Sequence, residues 1–199
     1  NLSRFAETIL FLLSDHQEKS IRIAEEILLN FEKIFNSTLN EIKSKKLGLP
    51  NSSKQSGKLY DDLLGLMESG QADFTLTLRS LERVLQKSDL NQFIKNFVFP
   101  EKEQKAQLDN WLNDWHKLLK TEESDKENVF KRLRSNNPIF IPRNHIIEKI
   151  IRESAAGNFD QFNQLSKLLK EPFTHYSSFS DFYKAPKKEE LVLQTFCGT

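Results

Sequence analysis

Apolar residues return every third or fourth position along nearly the whole chain, a period that commits it to helices. Leu2, Phe5, Ala6, Ile9, Leu10 and Leu13 share one face of a first helix. Ile21, Ala24, Leu28, Phe31, Phe35 and Ile42 carry the pattern on, with Thr38 filling its one gap. A second helix is therefore expected from about Glu18 to Leu47, about 45 Å long at 1.5 Å per residue. Lys43, Lys45 and Lys46 suit its negative dipole end, and Gly48 and Pro50 stop it. Ile23, Ile27 and Ile34 widen the stripe beyond a two-position seam, which favours a core helix over a dimeric coiled coil. Breakers are scarce, with six Gly and six Pro among 199 residues, while sixteen Phe can furnish an aromatic core.

The rest of the chain divides by the same logic. Asn51 to Gly57 is polar and Ser-rich and reads as a loop, the best site for disorder. Leu59, Leu63, Leu66 and Met67 predict a short helix ending near Gly70, and Asp73 can cap the next, which carries Phe74, Leu78, Leu81 and Leu85. Leu90, Phe93, Ile94 and Phe97 make a compact apolar face before Pro100, which suits the first position of a helix lined by Leu108, Trp111, Leu112, Trp115, Leu118 and Leu119. Ser124-Asp125-Lys126-Glu127 has capping-box spacing and opens a helix that Asn136-Asn137-Pro138 breaks. Two further helices carry Ile146, Ile147, Ile150 and Ile151, then Phe159, Phe162, Leu165 and Leu169, ending before Pro172. From Phe173 the chain is aromatic and aperiodic; Leu191-Val192-Leu193 could pair as a strand or lie extended on the helices. The expected fold is all-α: an irregular multi-helix domain of about nine helices over residues 1–172, with an extended aromatic tail over 173–199 that contains Cys197.

Composition narrows the function classes. Lys and Arg number 29 against 28 Asp and Glu, a net charge of +1, which argues against a nucleic-acid partner or a membrane-steering field. No run approaches the roughly 18 apolar residues of a membrane span. One cysteine excludes an internal disulfide framework, and a cytoplasmic setting is expected. The chain opens at Asn1 in an already patterned amphipathic segment without signal-peptide character, and reads as a piece of a longer polypeptide. Leu10, Phe11, Leu12 and Leu13 place apolar groups on more than one face of the first helix, so an exposed apolar surface is expected there, to be covered by the missing part or by a dimer contact.

Chemistry-bearing patterns are few. The glycines make no phosphate-binding loop, and His16, His116, His145 and His175 form no metal-binding helix pair. His145 and Glu148 could share a helix face and a metal, but no third ligand stands near, so a surface pair is favoured. Asp61-Asp62 and Glu25-Glu26 point about 100° apart on a helix and read as solvated faces. Trp111 and Trp115 share a face, which favours a core aromatic pair over a stacking platform for a ligand. Asn36-Ser37-Thr38 and Asn51-Ser52-Ser53 match the glycosylation pattern by chance. No catalytic, cofactor-binding or metal residue is assigned to this chain.

Several stretches, taken in order, resemble one family. Asn1-Leu2-Ser3-Arg4-Phe5, Lys45-Lys46-Leu47-Gly48-Leu49, Asp73-Phe74-Thr75 with Arg79 and Leu81, and the Trp111/Trp115 helix come first. Asn137-Pro138-Ile139-Phe140-Ile141-Pro142-Arg143-Asn144-His145 follows, then Gly157-Asn158-Phe159, Glu171-Pro172-Phe173 and Thr195-Phe196-Cys197-Gly198-Thr199. This order resembles the C-terminal part of the SelO/YdiU family, pseudokinase-fold proteins that transfer AMP from ATP to protein hydroxyls. The resemblance implies ATP and Mg²⁺ for the full-length protein, held by an upstream kinase-like part of the same polypeptide, with other proteins as substrates. It carries no catalytic residue onto this chain. Asn158 stands where the family often has Asp, and either can cap a helix. Asn144 is expected to cap the isoleucine helix and Arg143 to anchor a loop carbonyl or carboxylate, a structural role favoured over nucleotide contact. The resemblance also makes Cys197 a redox candidate, able to pair with an upstream cysteine and gate activity.

Overall fold

A computed structural model of the chain describes residues 1–87, 90–97, 102–122 and 125–191. Among the described residues the fold is all-α, with nine α-helices in the order α1 Leu2–Leu13, α2 Gln17–Lys46, α3 Lys54–Ser69, α4 Phe74–Lys87, α5 Leu90–Ile94, α6 Lys102–Thr121, α7 Lys126–Asn136, α8 Asn144–Ala155 and α9 Asp160–Leu168. Two 3₁₀ turns, Ser177–Phe182 and Lys188–Glu190, follow. The first of these turns packs Phe182 against the helices.

Two separate apolar cores form. The larger takes Leu47, Leu49, Leu59, Leu63, Leu78, Leu81, Phe93, Leu108, Trp115 and Leu133 among others, drawn from the end of α2 and from α3 to α7. At its centre the Trp111 and Trp115 rings stack 6.1 Å apart, and Phe93 stacks on Trp111 at 6.0 Å. Indoles can enter a core only if their N–H groups find acceptors. Trp111 donates to the Leu59 carbonyl at 2.7 Å and Trp115 to the Leu47 carbonyl at 2.8 Å, which pins α6 to α3 and to the α2 terminus. Gly48 makes that terminus possible: it takes a φ of +77°, and a Cβ there would sit 2.8 Å from Val129. The smaller core gathers Ile139, Phe140, Ile146, Ile150, Leu165, Leu168 and Phe182. Phe182 brings the aromatic segment after Pro172 into this core, and the Ile139 and Phe140 N–H groups both donate to the Pro172 carbonyl.

Three local expectations need correction. The polar stretch expected to be a loop holds the first turn of α3 from Lys54 onward, because Ser53 and Ser56 form a reciprocal capping box. The Ser56 hydroxyl also lies in a buried hydrogen bond, 2.7 Å from that of Ser44. The cap of α7 is Asp125, whose carboxylate accepts from the Asn128 N–H; Ser124 lies outside the described residues, as does Pro100. Most consequentially, α2 enters the core only at its C-terminal end. Its buried residues are Ser20, Ala24 and Ser44, whereas Ile27, Leu29, Ile34 and Phe35 are exposed. α1 packs against α2 and buries no residue, leaving Phe11 75% and Leu12 70% exposed. The two helices form an apolar arm, and the exposed surface expected at residues 2–13 is present.

Candidate functional site

A polar cluster lies where the two cores meet, around the Asn136-Asn137-Pro138 break. Proline after Asn137 ends α7 and turns the chain toward the second core. That turn leaves carbonyls with no helical partner, and side chains from distant helices meet them. Arg79 of α4 donates to the carbonyls of Arg134 and Asn137 at 3.2 and 3.1 Å. Asn137 is 2% exposed and donates its amide to the Lys46 carbonyl at 2.9 Å, while Lys46 donates to the Asn136 carbonyl at 2.9 Å. The Lys46 ammonium also lies 5.9 Å from the Phe74 ring centre, and burial holds its pKa below the ordinary lysine value.

Arg143 completes the junction. Its guanidinium meets the Asp73 carboxylate through two hydrogen bonds of 2.7 and 3.1 Å, and the side chains keep only 6% and 17% of their surface. Asp73 does two things at once: its Oδ1 also accepts from the Leu76 N–H at 2.8 Å, capping α4. Burial alone would raise the carboxyl's pKa. Hydrogen bonds from Arg143 and Leu76, with the Arg143 charge, outweigh burial and hold it below the ordinary carboxylate range. Arg143 thus engages a carboxylate 70 residues away in sequence. The capping role expected of Asn144 is not seen: Arg143 occupies the cap position, Asn144 is the first helical residue, and no side chain caps α8. With Arg143 turned toward Asp73, the α8 entry is fixed by that ion pair. Nor does Asn158 cap α9: it accepts from the Asp160 N–H at 3.0 Å, but Phe159 occupies the cap position and no side chain caps that helix.

The remaining candidates fall elsewhere. His145 and Glu148 line a cleft of about 1040 Å³ between α8 and the segment around Asp181 to Leu191. Partial burial holds the His145 imidazole below its ordinary pKa. Asp61 pairs with Lys43 at 2.8 Å and Asp62 with Lys58 at 2.6 Å, two separate surface ion pairs. Cys197 lies outside the described residues. Among the described residues no three His, Cys, Asp or Glu side chains converge in a way that could hold a metal ion. No described helix is long and apolar enough to cross a membrane. Sequence reasoning missed Asp73 as the partner of Arg143, because its position before α4 already accounted for a carboxylate.

Comparison with known proteins decides the affiliation. A family model described as protein adenylyltransferase SelO matches residues 1–170. The chain belongs to the SelO family. A relative named protein nucleotidyltransferase YdiU, from Nitrobacter winogradskyi, is 36% identical over 200 residues, covering 100% of this chain and 39% of that protein. Proteins of the same name from Rhodopseudomonas palustris and Clostridium perfringens are 35% and 33% identical, again across 100% of this chain and over 40% and 38% of their own length. This SelO-family chain thus spans about two fifths of the curated relatives it matches. The Arg143–Asp73 pair and the Trp111/Trp115 stack both lie inside the segment that the family model matches.

Proposed function

We propose that this chain is the helical C-terminal portion of a SelO-type protein adenylyltransferase, which transfers AMP from ATP to protein hydroxyls using residues upstream of Asn1. Its own work is support: it presents a rigid two-core scaffold to the kinase-like part and contributes no group to the reacting atoms. The observation that carries this reading is the match itself, complete along this chain yet reaching only about two fifths of each relative. The polar junction agrees with it, since the Arg143 and Asp73 groups are engaged with each other rather than aimed at a ligand. Phosphoryl-type chemistry needs positioned metals and cations around the transferred group, and ATP and Mg²⁺ belong to the upstream part in this reading. A cytoplasmic setting belongs to the same reading.

Transfer of labelled AMP from ATP onto protein tests the proposal. The polypeptide carrying both parts is expected to label substrates, and residues 1–199 alone are expected not to. AMP transfer by residues 1–199 alone overturns it. The apolar arm of α1 and α2 favours one second reading, a helical protein-interaction module without catalysis. An open reading frame with a kinase-like segment before Asn1 supports the first reading, and a start codon beside Asn1 supports the second.

A further inference from the structure

A second cleft, of about 410 Å³, opens beside the junction between α4, the end of α7 and the aromatic segment after Pro172, and its charge is one-sided. Among the described residues, Arg79, Arg83, Lys95 and Arg134 line it against a single carboxylate, Glu82. Four cations facing one anion leave a surplus of three, whereas the whole chain carries a net charge of only +1. The surplus is a property of this cleft and not of the surface at large.

The floor of the cleft is fixed in place. Arg134 donates to one Glu82 oxygen at 2.9 and 2.7 Å, and Arg79 stands 3.4 Å from the other. Arg79 and Glu82 are each 12% exposed, so this charge cluster is largely withdrawn from water, where electrostatic attraction is strongest. The Arg79 guanidinium is further held by the carbonyls of Arg134 and Asn137, which orient it and add no formal charge. One carboxylate between two guanidiniums leaves the floor positive. On the walls, Arg83 and Lys95 are exposed, and neither pairs with a carboxylate among the described residues. Burial, followed by repulsion from Arg134 and Arg83, lowers the Arg79 pKa despite Glu82, as expected where like charges converge.

We infer that this cleft binds a small polyanion, a phosphate or pyrophosphate group free or carried on a nucleotide. Guanidinium groups match phosphate oxygens in pairs, and a surplus of three positive charges suits a ligand of two or more negative charges. The volume falls in the range of small-molecule sites, about 300–1,000 Å³, and is too small for a folded partner. The inference does not depend on the adenylyltransferase reading.

Hydrogen exchange of the full-length polypeptide, titrated with inorganic pyrophosphate and in parallel with ADP, tests the inference. Either ligand is expected to slow exchange within Phe74–Lys87 and near Arg134, and added salt is expected to weaken the effect. The double variant R83S/K95S, which removes two exposed side chains and leaves the floor intact, is expected to weaken this protection about tenfold. Equal protection by both ligands at equal concentration identifies the phosphate group itself as the determinant, and stronger protection by ADP identifies a nucleotide; both support the site. Unchanged exchange in α4 at millimolar ligand, or full protection retained in the double variant, overturns it. Protection by a glutamate-rich peptide but not by pyrophosphate also overturns it, in favour of a protein partner.

Discussion

Replacing Asp73 by Asn isolates the charge of the buried pair from the helix cap. Asn retains an oxygen for the Leu76 N–H, now 2.8 Å from the carboxylate, but leaves the Arg143 guanidinium buried without its counterion. Breaking a buried pair by removing one partner costs about 3–5 kcal/mol. Asp73 keeps 17% of its side-chain surface, which places the expected loss at the low end, about 3 kcal/mol. For a chain of this size that is a fall of about 6–12 °C in Tm. Asp73→Ala also removes the cap and should cost about 1 kcal/mol more. The pH dependence has a defined sign. The folded carboxyl has a pKa below the ordinary 3.8, so its contribution is complete above that value. As pH falls through 3.8 toward the folded value, the unfolded chain takes up the proton first and the contribution is lost. Wild type and Asp73→Asn should therefore converge in acid and diverge at neutral pH. Urea unfolding followed by far-UV circular dichroism at pH 7 and near pH 3 measures both. A difference under about 1 kcal/mol at pH 7, or one that grows in acid, refutes the reasoning.

Trp115→Phe leaves the buried Leu47 carbonyl without its 2.8 Å donor and should cost about 1–3 kcal/mol, read as a shift in urea midpoint. Two glycines should respond oppositely to alanine. At Gly70 a Cβ would lie 2.5 Å from the Phe97 ring and should destabilise by about 1–3 kcal/mol. At Gly65, inside α3 with nothing within 4 Å, it should stabilise by about 0.5–1 kcal/mol, and thermal melts of both variants check the pair. Phe11→Ser with Leu12→Ser should lower self-association of residues 1–199 in sedimentation without lowering the urea midpoint, since both side chains are exposed. In the full polypeptide, AMP transfer should change with thiol redox state and Cys197→Ser should abolish the response; equal rates of both proteins under oxidant and reductant refute the gate.

How much of this was readable depends on the range of each interaction. Helix positions follow from local periodicity, so α1, α8 and α9 fall close to their expected places. The Trp111/Trp115 pair was readable as core because four-residue spacing puts both indoles on one face. Burial of α2 was not readable: an amphipathic stripe says which face seeks cover, and cover for Ile27 or Phe35 must come from another element. The junction was half readable. Arg143 could be named as an anchor, but its partner is 70 residues away and already explained by a local cap. The cationic cleft gathers α4, α7 and the segment near Tyr183, and no spacing rule links them.

The two cores draw on stretches of chain that do not overlap. The larger closes between Leu47 and Leu133, the smaller between Ile139 and Phe182, and the polypeptide passes from one to the other once, through Asn136-Asn137-Pro138. A growing chain can therefore complete the first core before any residue of the second has left the ribosome, and domains made in this order fold as separate units. Asp73 would wait on the finished half as a capped helix start, with Arg143 arriving later to dock. Breaking that latch would first release the later-made half, with Trp111 and Trp115 still packed in the earlier one.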